Sequence, residues 1–507
     1  MALMKRSLNN EFALAAVCLT ALMFGLEISS VPAVLPTLAA DLHADFKALQ
    51  WIMNAYTLAC TTVLMATGSL ADRFGRKRVY AISIVLFAIT SLACGLAQTT
   101  SVLIVSRFLQ GVAGGAMLIC QVAILSHQFQ EGRERSRAFG VWGIIFGIGL
   151  GFGPMVGGAI VALTYWSWVF LVHVLISMVA LWLTVSGVQE SRDPHAQTLD
   201  IGGILTLSIS SFCLVYFITQ GAALGWGSRP ALGMLLLALI SFVMFVVIEM
   251  RTERPTFDFS VFRIRAFSGA MFGSMGMNFS YWPFMIYLPI YFHGVLGYDG
   301  LVAGLALLSY TLPTLLVPPL AERLAAKYGA KRVIPLGMFT IGLGFLLMKL
   351  GTGAPLAGWL AMLPGCVLCG TGLGLTNTPA TNTATGAVSP NRAGMASGID
   401  MSARLISLAI NIAVMGFLLL EGVHSRLARA LPEGWDAATS QRLAEQVAAG
   451  EFAGFTTSTD LAMAHAALVC GFEWVMLYGM AGAWLLALLS RIAFGVSTKM
   501  SAQRVEP

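Results

Sequence analysis

The sequence predicts an all-α integral membrane protein. Hydrophobic residues make up 57% of the 507-residue chain and charged residues only 11%, whereas a soluble domain carries roughly 25% charged residues. The apolar residues form repeated runs of about 20, the length that a helix needs to cross a hydrocarbon core of ~30 Å. Because lipid offers the backbone no hydrogen-bond partners, runs of this length are helices.

By that criterion the chain contains about 14 candidate spans. They are residues 12–35, 49–70, 79–97, 101–125, 138–162, 166–187, 201–221, 231–249, 267–292, 301–321, 332–350, 356–380, 394–420 and 468–492. The first is longer than the apolar region of a signal peptide and lacks a small-residue cleavage site, so we expect it to remain in the mature protein.

Lys and Arg are unevenly distributed between the loops. The segment after the second span holds Arg73, Arg76, Lys77 and Arg78, and most other basic residues fall in loops on that same side. By the positive-inside rule both termini are cytoplasmic. The net charge of +6 therefore reflects topology. It does not indicate nucleic acid, because the basic residues form no single patch.

The eight cysteines all fall inside predicted spans, which argues against an extracellular disulfide framework. Cys366 and Cys369 have the spacing of a redox or zinc pair. They lie among glycines and have no second ligand pair, so the sequence favours core packing and no metal site.

A basic turn follows the second span, and a weaker copy of it follows the tenth. The first reads Gly-Ser-Leu-Ala-Asp-Arg-Phe-Gly-Arg-Lys-Arg-Val over residues 68–79, and the second is centred on Glu322 and Arg323. Residues 68–79 resemble the loop between helices 2 and 3 of the major facilitator superfamily. The resemblance implies two six-helix bundles with the substrate bound between them near mid-membrane.

Two further helices then lie between the bundles. Asp200-x-x-Gly203, the connector 255–262 and the Arg404-bearing start of the thirteenth span resemble the 14-helix drug:proton antiporter family of the EmrB/QacA type. We therefore expect an N-terminal six-helix bundle at 1–190, two additional helices and their connectors at 191–262, and a C-terminal six-helix bundle at 263–507. Within the last, residues 421–465 form an outer segment, in which 435–449 fits either a solvated loop or an amphipathic helix carrying Trp435, Leu443 and Val447.

Glu27 lies in the middle of the first span, where the family usually carries Asp. A carboxylate in a medium of low dielectric constant can load and release a proton near neutral pH. The charged form can also hold a cationic drug, so competition for one carboxylate would couple the two. A Glu that hydrogen-bonds only for folding is the alternative.

Arg107-x-x-Gln110-Gly111 in the fourth span matches a family motif that implies a role for Arg107 in proton exchange. An Arg bonded to backbone carbonyls for structural reasons is the alternative, since a lone intramembrane Arg costs ~2.5–3.5 kcal/mol on insertion scales.

The fifth span contains the family's antiporter motif. Proline bends a helix and glycine permits close helix contact, so the motif favours a hinge or seal between the halves, although close packing alone explains the glycines. Its residues are Gly149, Gly153, Pro154, Gly157 and Gly158, and the corresponding residues of the 68–79 turn are Gly68, Asp72, Arg73, Gly75 and Arg76.

Other polar residues carry weaker predictions. The resemblance places the following residues on helices that line the substrate cavity: Asn54, Tyr56, Gln110, Asn278, Tyr281, Trp282 and Tyr287. Asp400 and Arg404, one turn apart, are expected to neutralise each other. His173 fits a bonded core histidine or a proton relay, and Glu473 fits a wet interfacial position.

These features predict a proton-coupled secondary transporter in a bacterial inner membrane that exports lipophilic drugs or toxic compounds by antiport. A dedicated exporter of a metabolite, siderophore or lipid is the alternative, because fold does not fix substrate. No nucleotide-binding or nucleophile motif suggests an enzyme. We expect no cofactor, and the proton motive force as the energy source. The expected partners are a small lipophilic substrate, protons and membrane lipid, while the sequence neither requires nor excludes a periplasmic adaptor and outer-membrane channel.

Overall fold

The computed structural model describes residues 2–129, 132–192, 200–252, 259–352, 358–388, 393–430, 437–452 and 458–495. Within these ranges the chain is helical and contains no strand. The first eight helices are α1 (Ala2–Leu42), α2 (Phe46–Phe74), α3 (Arg76–Gly95), α4 (Thr100–Gln128), α5 (Gly132–Leu163), α6 (Trp168–Gly187), α7 (Ile201–Leu224) and α8 (Arg229–Arg251).

The second half of the chain contains more and shorter helices. They are α9 (Arg265–Phe279), α10 (Tyr281–Gly294), α11 (Gly300–Thr311), α12 (Pro313–Leu316), α13 (Pro318–Tyr328), α14 (Ala330–Thr352), α15 (Leu363–Gly386), α16 (Ala393–Ala430), α17 (Ala437–Ala449) and α18 (Ser458–Phe494). Helices α1–α6 pack on one another, and α9–α16 and α18 form the second bundle.

Helical segments coincide with all of the predicted spans. In the described residues, ten helices are long and apolar enough to cross a membrane, and an eleventh span results if the bent α11–α13 segment is counted as one. The three others correspond to α2, to the α9–α10 pair and to α15, which do not meet that test. The all-helical membrane fold is thus confirmed, although fewer helices meet the length and hydropathy test than the roughly 14 spans that the sequence predicts.

Two predicted spans are broken. The span 267–292 divides at Ser280 into α9 and α10, because Pro283 lacks an N–H and its ring clashes with the carbonyl four residues earlier, at Phe279. The span 301–321 is bent by 42° before Pro318, where two consecutive prolines interrupt the helical hydrogen bonds.

In the described residues the outer segment 421–465 is mostly helical, so of the two interpretations of 435–449 the helix is confirmed for residues 437–449 and the solvated loop is wrong there. Helix α16 continues to Ala430 and α18 begins at Ser458. Between them, α17 buries Ala444, Val447 and Ala448 against neighbouring helices, since these small apolar residues share one helical face. Trp435 lies outside the described residues.

Helices α7 and α8 pack mainly on each other and against α2 and α16. Most of α8 is exposed at the surface of the protein through large apolar side chains such as Leu236, Ile240 and Val243, as expected of a lipid-facing helix. The predicted boundaries at 190/191 and 262/263 fall in connecting segments, and the division into three domains stays a prediction.

Candidate functional site

An ion pair lies at the centre of the N-terminal bundle. The Glu27 carboxylate on α1 and the Arg107 guanidinium on α4 are both fully buried, and Nη1 of Arg107 contacts Oε1 of Glu27. The structure therefore brings together the two residues predicted for proton coupling. Taking two charges out of water is costly unless further hydrogen bonds satisfy them.

The remaining Arg107 donors are partly satisfied by neutral groups. Nε donates to the Ile52 carbonyl at 3.2 Å, and Nη1 donates to Oε1 of Gln110 at 2.8 Å. The Tyr56 ring lies beneath the guanidinium, with its centroid 4.4 Å from Cζ, a cation–π geometry. Arg107 thus has the backbone carbonyl contact expected of a purely structural Arg and, in addition, an acidic partner.

Two residues predicted to line the substrate cavity, Tyr56 and Gln110, lie against this ion pair, and their assignment to the cavity stays a prediction. Tyr56 packs on Arg107, and Gln110 bonds Arg107 and donates through Nε2 to Oγ of Ser91 at 2.9 Å. Both side chains are buried inside the N-terminal bundle. Gln110 lies next to Arg107 because the two residues are one helical turn apart on α4.

His173 on α6 also reaches Glu27. Its Nε2 is 3.0 Å from Oε2, the carboxylate oxygen that Arg107 does not contact. The ring is fully buried and meets Phe87 edge-on, with centroids 5.8 Å apart. No pattern in the sequence indicates that α6 faces α1 at this position. We refer to Glu27, Arg107 and His173 as the buried triad.

The glycines of the fifth span bring α5 against α1. A Cβ on Gly149 would lie 2.6 Å from the Leu22 carbonyl oxygen, and one on Gly157 would lie 2.8 Å from the Ser30 carbonyl oxygen. Gly153 faces Ser29 just as closely, and Oγ of Ser29 donates to the Gly149 carbonyl at 3.0 Å. Small residues permit this approach of two helices, and it fixes the helix that carries Glu27.

The same helix α5 also contacts the second bundle. A Cβ on Gly304 of α11 would lie 3.0 Å from Cα of Met155, next to Pro154. Oγ1 of Thr311 donates to the Gly151 carbonyl at 2.9 Å. The motif that includes Pro154 therefore lies at a contact between the halves. Gly158 follows Gly157 and is buried.

The turn at residues 68–79 is a sharp bend between two helices. Gly75 has a φ of +109°, which side-chain-bearing residues rarely adopt. Beside it, the Glu190 carboxylate accepts hydrogen bonds from the backbone N–H groups of Lys77 at 3.0 Å and Arg78 at 3.2 Å. Glu190 therefore caps the start of α3. The sequence pattern does not predict this role, because the cap comes from 113 residues further along the chain.

The other motif residues in this turn have less defined environments. Gly68 lies on α2, where a Cβ would lie 4.0 Å from a methyl carbon of Ile119. Arg73 is exposed, and its guanidinium lies 5.4 Å from the Phe74 ring centroid. The Arg76 backbone N–H donates to the Ser191 carbonyl at 2.9 Å. The side chain of Asp72 lies outside the described part of the chain.

A small cleft lies between the two bundles. Leu49, Gln50 and Met53 of the first half line it opposite Tyr287 and Ile412 of the second. The Tyr287 hydroxyl donates to the Ile412 carbonyl at 2.6 Å. Of the residues predicted for the substrate cavity, Tyr287 is the one that lines this cleft.

The remaining candidates for the cavity are buried or half-buried among the helices. The Asn278 amide donates to the Ser274 carbonyl at 2.9 Å, and Asn54 is buried on α2. Tyr281 stacks on Tyr310 with centroids 4.2 Å apart, and Trp282 meets Tyr281 edge-on. Their assignment to a substrate cavity stays a prediction.

A second ion pair lies in the C-terminal bundle. Nε of Arg404 donates to Oδ2 of Asp400 at 3.0 Å, as expected for residues one turn apart. Other Arg404 nitrogens donate to Oδ1 of Asn377 and to Oγ of Ser274. These bonds hold α16 against α15 and α9. Glu473 is half-buried on α18.

Cys366 and Cys369 pack between α14 and α15. The Cys366 sulfur lies 3.6 Å from that of Met348, and the Cys369 thiol donates to the Ile341 carbonyl at 3.4 Å. In the described part of the chain all eight cysteines are free and no group of acidic, His or Cys side chains forms a candidate metal site.

Comparison with known proteins adds three findings. The family model described as Major Facilitator Superfamily matches residues 17–412. The multidrug resistance protein Stp of Mycobacterium tuberculosis is 32% identical over 83% of this chain and 78% of its own length. The tetracenomycin C resistance and export protein of Streptomyces glaucescens is 28% identical over 86% of this chain and 80% of its own.

A solved structure supports the same fold. The crystal structure of the human organic anion transporter MFSD10 has a TM-score of 0.60 and covers 96% of this chain and 99% of that protein. Its sequence is only 15% identical, so the likeness concerns the fold alone.

Proposed function

The chain belongs to the major facilitator superfamily of membrane transporters, and from that premise we propose that it is a proton-coupled antiporter that exports lipophilic drugs or toxic compounds. The observation that carries the proposal is the buried triad. An acidic side chain shielded from water and held by Arg107 and His173 suits a site where a proton is exchanged.

The relatives support export of toxic compounds. Stp is named a multidrug resistance protein, the Streptomyces glaucescens relative a resistance and export protein, and a Staphylococcus aureus relative, 28% identical, a quinolone resistance protein. The name of the Streptomyces relative also supports the second candidate function, a dedicated exporter of one metabolite. Both functions use the same fold and the same source of energy.

Glu27 is the residue at which we place the coupling. In one state the site at its carboxylate holds a proton, and in the other the carboxylate is available to a cationic substrate. One proton moving down ~100 mV and one pH unit supplies roughly 3.7 kcal/mol, enough for an approximately 500-fold gradient of an uncharged substrate. No cofactor and no enzymatic step are then required.

The transporter acts, on this proposal, in a bacterial inner membrane with both termini in the cytoplasm. The positive-inside rule supports this orientation through the basic residues of the 68–79 turn. The substrate is small and lipophilic, and lipid surrounds the exposed face of α8. Whether a periplasmic adaptor and an outer-membrane channel take part is tested by comparing export in cells with and without such partners.

The test is dye accumulation in an efflux-deficient bacterium that expresses this chain. Wild type is compared with Glu27→Gln, with and without an uncoupler, across a panel of lipophilic cations and neutral antibiotics. Glu11→Gln is the matched control, because Glu11 lies on the same helix but is exposed. Membrane levels of each variant are measured by immunoblotting.

We expect wild type and Glu11→Gln to lower accumulation of at least one compound, and both the uncoupler and Glu27→Gln to abolish that effect. If no compound in the panel responds although the protein is present, multidrug export is wrong and the dedicated exporter is favoured. Export that persists in the Glu27→Gln variant would remove Glu27 from the coupling mechanism.

A further inference from the structure

His173 differs from the other two members of the buried triad in the chemistry that it offers. Arg107 is always protonated at physiological pH, whereas imidazole ordinarily gains and loses a proton near pH 6.5. The His173 ring is completely shielded from solvent, and its Nε2 lies 3.0 Å from Oε2 of Glu27. The pair therefore places a second proton acceptor in direct contact with the carboxylate.

The other titratable groups of the site are poor candidates for the same exchange. Arg107 contacts Glu27 from α4, Tyr56 packs on Arg107 from α2, and Cys94 of α3 donates to Gln110, while Phe87 provides an apolar edge to the imidazole. A phenol and a thiol ordinarily lose their protons at about pH 10 and 8.5, so both stay neutral over the physiological range. Glu27 and His173 are left as the groups of this site whose side chains can exchange a proton.

The two carboxylate oxygens have different partners. Oε1 contacts Arg107 and Oε2 faces His173. If an added proton goes to Glu27, the Arg107 charge is left buried without a counter-charge. If it goes to Nε2 of His173, the carboxylate stays ionised between two cations, each at its own oxygen. The net charge of the triad is the same in both cases, but the second arrangement pairs every positive charge with an adjacent negative one.

We propose that Nε2 of His173 is the atom that binds the coupling proton. Glu27 stays ionised beside it and remains paired with Arg107. This rests on the proposed function in assigning the proton to transport. Loading forms one N–H bond at Nε2 from an external proton, and release breaks that bond and returns the proton to water on the cytoplasmic side. Nothing is oxidised or reduced in either step.

Helices α1 and α6, which carry Glu27 and His173, pack closely against each other. A Cβ on Gly187 of α6 would lie 2.7 Å from the Ala13 nitrogen of α1, so the two helices are in close contact. The Phe12 and Trp182 rings pack 5.7 Å apart along the same contact. A movement of α6 against α1 would separate His173 from Glu27, and the affinity of the pair for a proton would change with it.

The test is infrared difference spectroscopy of the purified full-length protein between pH 5 and pH 9, and it needs no transported substrate. Protein is prepared with and without isotope-labelled histidine, so that imidazole bands are identified in wild type by their isotope shift. His173→Gln removes the titrating ring and keeps a side-chain N–H that can reach Glu27. His293→Gln is the control, because His293 is exposed and bonded to the Tyr298 carbonyl.

We expect wild type to show an imidazole band that titrates in this range and is missing in His173→Gln but present in His293→Gln. We also expect the His173→Gln variant to show a protonated carboxyl band at low pH that wild type lacks. This band should disappear when Glu27→Gln is added to His173→Gln. If wild type instead shows a titrating Glu27 carboxyl band and the His173 ring does not change, the proposal is overturned and His173 only positions Glu27. Should His173→Gln fail to fold, the carboxyl region decides: a carboxyl band that titrates in wild type and is missing in Glu27→Gln overturns the proposal, and the absence of such a band from wild type upholds it.

This experiment separates the inference from the proposed function. A transporter that exports no drug can still show the His173 titration, and an active drug exporter can lack it. Where an exported dye is known, the pH profile adds a second measurement. His173→Gln should make export at least tenfold less sensitive to an imposed pH gradient, whereas His293→Gln should respond like wild type.

Discussion

Glu27 and Arg107 stabilise each other in a site that water does not reach, and the loss of one partner leaves the other charge buried. For Glu27→Gln we expect the free energy of unfolding to fall by about 3–5 kcal/mol, the typical cost of breaking a buried pair from one side. The double variant Glu27→Gln/Arg107→Met, which removes both charges, should recover most of that loss without recovering export.

Thermal unfolding of the purified proteins measures the first effect, and dye export in cells measures the second. A double variant as unstable as Glu27→Gln would show that the ion pair is not the source of the loss. A double variant that exports dye would show that neither charge is needed for coupling.

Gly149 is a residue at which one methyl group should matter. A Cβ there would lie 2.6 Å from the Leu22 carbonyl oxygen of α1, and backbone atoms cannot move aside as a flexible side chain can. We expect Gly149→Ala to lower stability by about 1–3 kcal/mol, the range for overpacked sites, and to lower export. Gly143→Ala on the same helix is the control, since nothing lies within 4 Å of its Cβ position. Equal effects of the two substitutions would argue that helix propensity, and not contact with α1, decides the outcome.

At the scale of single elements, the start of α3 depends on a side chain from beyond α6. Glu190 accepts the backbone N–H groups of Lys77 and Arg78. Glu190→Ala should destabilise the protein by about 0.5–2 kcal/mol, as the loss of a helix cap does, and Glu190→Gln should lose less because an oxygen acceptor remains. Thermal unfolding ranks the variants. The role as a cap is wrong if Glu190→Ala unfolds at the wild-type temperature.

Local sequence patterns predicted the helices well, because a run of about 20 apolar residues has few alternatives in lipid. The same patterns could not predict the break at Ser280, where a proline acts through the carbonyl four residues before it. They left α17 open between a solvated loop and an amphipathic helix, because Ala444 and Ala448 are buried only by the helices that pack against them.

For the candidate site, the sequence predicted which residues take part better than it predicted which residues they contact. Glu27 and Arg107 stood out because charges inside spans are rare. That His173 would meet them, and that Tyr56 would lie under Arg107 and not along the central cleft, depends on the rotation of α2, α4 and α6 about their axes. Contacts between distant helices set those rotations, and no local pattern encodes them.

At the scale of the whole molecule, the two bundles meet along α5 and α11. The Gly151 Cβ position lies 3.6 Å from Cβ of Thr311, within the range of about 3.5–4.5 Å that a disulfide requires. In the double variant Gly151→Cys/Thr311→Cys we therefore expect an oxidant to cross-link the halves and stop export, and a reductant to restore it.

The single variants Gly151→Cys and Thr311→Cys serve as controls, because each has the new thiol without its partner. Mass spectrometry of the digested protein verifies the cross-link. Export at the wild-type rate by a fully cross-linked protein would mean that this contact stays closed throughout the transport cycle.

The distance along the chain between the members of the buried triad has a consequence for biosynthesis. Glu27 and Arg107 are 80 residues apart, and ribosomes add about 5–20 residues per second. The first helix is therefore made roughly 4–16 s before its arginine partner, and His173 follows later still. During that interval Glu27 has neither of the partners that it meets in the folded protein, so final assembly of this bundle waits until α6 has been synthesised. A ribosome that pauses before α6 would hold the nascent chain at this unpaired stage.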